Sequence, residues 1–270
     1  MYKRQVHTRP KKLLEIGCGK GTKSLLISYM NKRLSCPAIS ERVLCDKSSQ
    51  KLACARKRLS RANITDPIRF VAHDATTLDT YFDAHERFDT VFIDAPCSGS
   101  GTMRRHVEAP TTMSEAALDV ARPHSLVHTQ SELLRAASCL VNVGGFLIYA
   151  TCSIFSCENE DVVSAFLASD AGKGFACTNF PRAWTQELHA SMREAVTQAY
   201  DSFSASVVDT NHKVSAAACT PSQVAADAAF TTSQVESATA CMYSRCGMYL
   251  FAPLAHSCDS HFVACLTRIS

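Results

Sequence analysis

Three residues at the ends of two apolar runs have side chains suited to covalent chemistry. Thr90 to Ile93 leads into Asp94-Ala95-Pro96-Cys97, and Phe146 to Tyr149 leads into Ala150-Thr151-Cys152-Ser153. Short apolar runs bounded by turn residues read as buried strands. A strand ending in a carboxylate, a rigid proline and a thiol puts reactive groups at the edge where open α/β sheets bind ligands. Either cysteine alone reads more simply as a packed, inert thiol. Two thiols and a carboxylate facing one crevice admit a particular reaction. Cytosine C5 is a poor nucleophile, but a thiolate that adds to C6 makes C5 enamine-like and able to accept a methyl group from a sulfonium. One thiol attacks, and the second assists release of the adduct.

The methyl donor has its own signal. Glu15-x-Gly17-x-Gly19-x-Gly21 follows a strand-like run and opens a helix. Glycines let the backbone pass close to a ligand, and a helix N-terminus offers free N–H groups. The spacing is G-x-G-x-G, whereas dinucleotide enzymes use G-x-G-x-x-G. Asp46 ends the second strand-like run and can accept both ribose hydroxyls, while Asp74 follows the third and can reach an adenine amino group. The set fits an adenosyl cofactor without a pyrophosphate, S-adenosylmethionine. The competing reading is a turn rich in glycine with acids on the surface.

The elements that must position these residues alternate regularly. Strands are expected at Lys11 to Ile16, Arg42 to Cys45, Ile68 to Ala72, 88 to 93 and Phe146 to Tyr149. Helices are expected at Thr22 to Lys32, Ser48 to Ala62, Leu126 to Leu140 and Asn159 to Leu167. The first helix would present Leu25, Leu26, Tyr29 and Met30 on its apolar face, and the second Leu52, Ala55 and Leu59. The alternation implies an α/β fold with a doubly wound, mainly parallel, Rossmann-like sheet. Gly247 to Leu254 and His261 to Ile269 read as a closing antiparallel hairpin. Residues 178 to 245 are rich in Ala, Ser and Thr without clear periodicity, so residues 1 to 270 read as one domain carrying a low-complexity insertion.

Composition narrows the class. A 46% hydrophobic and 20% charged content fits a globular domain, and the absence of a run of about 18 apolar residues argues against a membrane span. The basic N-terminus, Met1 to Lys12, lacks the apolar core of a secretory signal. None of the fourteen cysteines are spaced C-x-x-C and the histidines do not cluster, so no metal is expected. Most cysteines read as small buried hydrophobes in a reducing cytoplasm. Residues 1 to 70 hold 17 Lys/Arg against 4 Asp/Glu, and the rest hold 11 against 21. A leading segment this basic suggests a surface facing phosphates, or else a set of solvated helix faces.

Together these residues resemble the RNA cytosine-5 methyltransferases of the Fmu/Sun and NOL/NOP type, especially the bacterial 16S rRNA enzymes. Asp94 to Thr102 with Arg104-Arg105-His106 is similar to one family motif. Gln130-x-x-Leu133-Leu134-x-x-Ala137, Gly144 to Ile154 and Glu158-Asn159-Glu160 are similar to the next two. Pro253, His256, Asp259 and Phe262-Val263-Ala264 resemble the closing segment.

The resemblance implies Cys152 as nucleophile, Cys97 as the thiol that assists breakdown of the adduct, and Asp94 between the methionine end of the cofactor and the base. It implies that Gly17, Cys18, Gly19, Lys20, Gly21, Thr22 and Lys23 hold S-adenosylmethionine with Asp46 and Asp74, and that Arg104 and Arg105 hold RNA phosphates. DNA enzymes of this chemistry attack from the Pro-Cys position, so Thr151-Cys152 points to RNA. Only about a dozen residues precede the first strand, so the RNA-binding domain usual at the family's N-terminus is expected to be missing. The cofactor loop is closer to the general methyltransferase form than to the family's C-A-A-P-G-G-K. The expected partner is rRNA in the cytoplasm. The alternatives are a tRNA substrate or an RNA-binding protein that turns over weakly or not at all.

Overall fold

Runs such as Leu13-Leu14-Glu15-Ile16 and Thr90-Val91-Phe92-Ile93 are apolar on nearly every residue, as strands covered on both faces must be. The computed structural model describes residues 12–33, 39–83, 85–102, 125–178, 243–245, 248–251 and 261–270. The strands are β1 (Lys12–Ile16), β2 (Glu41–Asp46), β3 (Ile68–Ala72), β4 (Phe88–Asp94), β5 (Val141–Thr151), β6 (Phe175–Cys177), β7 (Tyr243–Arg245), β8 (Met248–Phe251) and β9 (His261–Arg268). The helices are α1 (Thr22–Arg33), α2 (Ser49–Arg61), the single turn α3 (Leu78–Tyr81), α4 (Leu126–Ser138) and α5 (Glu160–Ala168).

The strands join in one sheet of order β3-β2-β1-β4-β5-β9-β8-β7, with β6 also paired to β9. β3 through β5 run parallel, and β9 returns antiparallel to β5. The expected doubly wound α/β sheet is therefore present. The closing hairpin is present too, as β8 paired antiparallel with β9. β6 and β7 have three residues each, too short for a periodic signal. β5 begins five residues before the expected Phe146. Gly144, at φ 79°, and Gly145, whose Cβ would lie 2.8 Å from the Asp89 carbonyl oxygen, let it shift register against β4 rather than stop.

One face of the sheet carries the larger core. Leu14, Ile16, Val43, Cys45, Val91, Ile93, Leu147 and Tyr149 pack with Leu133, Leu134 and Ala137 of α4 and Val162, Val163 and Phe166 of α5. The other face has a smaller cluster of Leu44 with Leu52 and Leu59 of α2, the inward side the sequence implies for that helix.

Beside that cluster sits a fully buried ion pair. Arg42 donates to Glu15 Oε1 at 2.5 Å, to Ser28 Oγ at 2.5 Å and to the Ser24 carbonyl at 2.5 Å, while Ser24 Oγ donates to Glu15 Oε2 at 2.7 Å. A buried pair needs its remaining donors and acceptors satisfied. α1 meets this by turning Ser24 and Ser28 inward. That rotation overturns the apolar face expected for α1: Leu26 and Tyr29 are more than half exposed, Met30 is also exposed, and Leu25 is only partly buried.

Replacing Arg42 with Met strands the Glu15 carboxylate under α1. Urea denaturation is expected to show a loss of roughly 3–5 kcal/mol. The double change Arg42→Met with Glu15→Leu should recover most of it.

Candidate active site

The strand order reverses at β1: the chain runs outward through β2 and β3, then returns to place β4 and β5 on the other side. Loops diverge at such a point and leave a crevice beyond the carboxyl ends of the strands. The loop after β1 enters it on glycines at positive φ: Gly17 at 74°, Gly19 at 55° and Gly21 at 78°. A Cβ on Gly17 would stand 2.3 Å from the Asp94 carbonyl oxygen, so the absence of a side chain lets this loop close against the end of β4. On Gly21 it would stand 2.9 Å from Ala55 Cβ of α2. Gly19 has open space around it, with only the Gly17 carbonyl oxygen at 3.9 Å.

Asp46 braces the same loop, accepting from Gly19 N at 3.0 Å and from Ser48 N at 2.8 Å. Asp74 stands exposed at the end of β3 and accepts from Thr76 N and Thr76 Oγ1, bonds that hold its carboxyl below the usual carboxylate range. Lys23, in the first turn of α1, reaches Asp94 Oδ2 at 2.5 Å. Lys20 and Thr22 are tied to α2 through Arg58, which donates to the Lys20 carbonyl at 3.2 Å and to Thr22 Oγ1 at 2.9 Å. Cys18 is buried in the smaller cluster. Burial pushes the Cys18 and Cys45 thiols up to about 12, and the Asp46 carboxylate adds to the effect, so both are packing groups.

β4 and β5 are parallel neighbours with Asp94 opposite Ala150, which brings the residues just past them together. Cys97 Sγ lies 3.3 Å from Cys152 Sγ, and the Cys152 backbone N–H donates to Cys97 Sγ at 3.3 Å. The contact shifts the two thiols in opposite directions. The hydrogen bond from Cys97 lowers Cys152 to about 7 against the opposing effect of burial. Cys97 is pushed well above the ordinary thiol range by the contact with Cys152 and by burial. Asp94 raises Cys152 and Lys23 lowers it. The arrangement puts a thiol lowered toward neutrality in contact with a second thiol.

Behind the thiols lies a buried polar layer. Thr151 Oγ1 donates to Asn159 Oδ1 at 2.6 Å, Asn159 Nδ2 to the Ser153 carbonyl at 3.0 Å, and Gln130 Nε2 to the Pro96 carbonyl at 2.9 Å.

The model of the 16S rRNA methyltransferase RsmB/F family matches residues 7–267. The chain belongs to this family. It is 33% identical over 161 residues to ribosomal RNA small subunit methyltransferase B of Pseudomonas syringae pv. tomato, covering 60% of this chain and 33% of that protein. Against the protein of the same name from Vibrio vulnificus it is 35% identical over 128 residues, covering 47% and 28%. The chain thus spans about a third of the length of the curated relatives it matches. Among solved structures it is similar to NSun6 from Pyrococcus horikoshii with SFG, at TM-score 0.57 and 16% identity over 96% of this chain and 48% of that one. A methyltransferase homologue from Pyrococcus horikoshii gives 0.55 and 15% over 94% and 60%. These two likenesses show the fold.

Of the expected site residues, the structure gathers Cys97, Cys152, Asp94, Lys23 and the glycine loop with Asp46 at one sheet edge. Asp74 lies at the end of β3, on the far side of β2. Arg104, Arg105 and the closing motif residues Pro253, His256 and Asp259 lie outside the described residues. Sequence reasoning gave no role to Ser98, Ser100, Ser153 and Glu158, which stand directly behind the thiols. A glutamate and a glutamine buried in this family's shared motifs were the available signal.

Cys152 is expected to alkylate with iodoacetamide with a midpoint near pH 7. Cys97→Ala removes the donated hydrogen bond, so the midpoint should rise toward the ordinary thiol value of about 8.5. Rates read by peptide mass spectrometry check both, with Cys18 and Cys45 as unreactive internal controls.

Proposed function

We propose that this chain is the catalytic methyltransferase domain of a 16S rRNA enzyme that methylates cytosine at C5 through a covalent Cys152–C6 adduct. The observation that carries the reading is the contact of Cys97 Sγ with Cys152 Sγ at 3.3 Å, beyond the carboxyl ends of β4 and β5.

S-adenosylmethionine fits the residues present. Gly19 leaves open space beside a loop of backbone N–H groups, Asp46 is bonded to that loop at Gly19 N, and Asp74 is exposed on the same edge. Gly17 to Lys23, Asp46 and Asp74 would hold it, and the bound group would supply an electrophilic methyl on a sulfonium. Family membership supports the assignment, as does the related fold of NSun6 with SFG, an analogue of that cofactor.

The chain's own residues divide the remaining work. Cys152 attacks C6 as thiolate, and the bond places enamine-like electron density on C5. After methylation, the C5 proton leaves to a base and the C6–S bond breaks, returning its electron pair to Cys152. Cys97, with its sulfur 3.3 Å away, stabilises that leaving thiolate by donating its S–H to it. Asp94, held by Lys23, borders both the cofactor loop and the thiols. The base must leave its stack to reach Cys152, at a cost of a few kcal/mol, and Arg104, Arg105 and the basic first segment would hold the flanking phosphates.

The test is transfer of tritium from labelled S-adenosylmethionine to 16S rRNA. Transfer should fall to background in Cys152→Ala, whereas Cys97→Ala should accumulate a denaturation-resistant protein–RNA adduct. Equal transfer by wild type and Cys152→Ala would reject the mechanism.

A further inference from the structure

We propose that Glu158 is a positioning residue that sets the distance between the two thiols; the inference builds on the two-thiol reading above. Glu158 is fully buried. Its Oε1 accepts from Ser98 N at 2.8 Å and Gln130 Nε2 at 3.1 Å. Its Oε2 accepts from Ser98 Oγ at 2.6 Å and Ser153 Oγ at 2.5 Å. Ser98 directly follows Cys97, and Ser153 directly follows Cys152. One carboxyl group therefore grips the residue next to each sulfur. Gln130 adds a hold on the other side of Cys97 through the Pro96 carbonyl.

The glutamate is itself fixed. Tyr149 Oη donates to the Glu158 carbonyl at 2.7 Å, and Asn159 ties the following residue to Thr151 and Ser153. Ser100 makes a second strap between the loops, meeting Ser153 Oγ at 3.1 Å and accepting from Ile154 N at 3.0 Å.

Stability alone does not account for a carboxyl group here. Among the described residues its partners are N–H and O–H donors, with no guanidinium or ammonium. A buried carboxyl without a cation is costly, and an apolar side chain of similar volume commonly does as well or better. What an apolar side chain lacks is acceptors for four donors arriving from three segments. The geometry that needs those acceptors is the one that holds Cys97 against Cys152.

Diamide oxidation reads that distance directly. Each thiol gives up one hydrogen, the sulfurs bond, and the diazene is reduced to the hydrazine. In wild type the 97–152 disulfide, followed by peptide mapping, should close rapidly. In folded Glu158→Ala, closure should slow by about tenfold or more, since a small misplacement of reacting atoms is costly. The Cys152 alkylation midpoint should also rise toward the ordinary thiol value as the Cys97 hydrogen bond loosens. Glu158→Gln keeps one acceptor and should restore part of both. Circular dichroism and the melting temperature verify that each variant is folded.

A folded Glu158→Ala with wild-type closure rate and midpoint would overturn the proposal, whatever its melting temperature. If that variant does not fold, Ser98→Ala and Ser153→Ala each remove one arm of the grip. Slower closure in either supports it, and wild-type closure in both overturns it. Neither readout uses methyl transfer, so failure of the rRNA reading would appear separately, as absent tritium transfer by wild type with these thiol results intact.

Discussion

The contact between two sulfurs at the ends of adjacent parallel strands is the constraint the rest of the site serves. A thiol is a weak hydrogen-bond donor and a poor nucleophile in its protonated form. Placing a second thiol against it breaks the symmetry, because one sulfur can donate its proton toward the other. Here the sulfur contact lowers Cys152, while the Cys152 backbone N–H, which donates to Cys97 Sγ at 3.3 Å, pulls the other way. The pair is usable only if both loops are held, and parallel pairing of β4 with β5 fixes their origins to within a residue.

That constraint explains how polarity is distributed over the sheet. The large apolar cluster lies under α4 and α5 and makes the strand ends rigid. Beyond it, the chain buries glutamate, glutamine, asparagine and four hydroxyl residues behind the thiols. On the opposite face it buries Arg42 with Glu15 beneath α1. Both polar sites lie directly behind loops that must hold a shape, the glycine loop on one side and the thiol loops on the other. Hydrogen bonds specify one geometry where apolar contact would tolerate several.

The parallel strands were legible because a strand buried on both faces is a continuous apolar run, and Cys97 and Cys152 were legible because each sits directly past such a run. The orientation of α1 was not. Its apolar residues suggest an inward face, yet what it covers is an ion pair assembled from Glu15 and Arg42, 27 residues apart, which a local pattern does not contain. Gly144-Gly145 reads as a strand boundary, but positive φ at Gly144 allows β5 to continue through a shifted register. Glu158 was visible only as a motif residue, because three of its four bonds reach 28 or 60 positions back along the chain.

The charges around Cys152 show why the sulfur contact governs the site. Asp94 and Lys23 are joined at 2.5 Å, and they act on Cys152 with opposite signs. A joined pair presents little net field to a neighbour, and both members are partly open to solvent, which screens what is left. Burial works against the thiolate as well. The contact with Cys97 is therefore the largest influence lowering Cys152. Its strength depends on a short distance, and that distance is the property the buried layer between the two loops maintains.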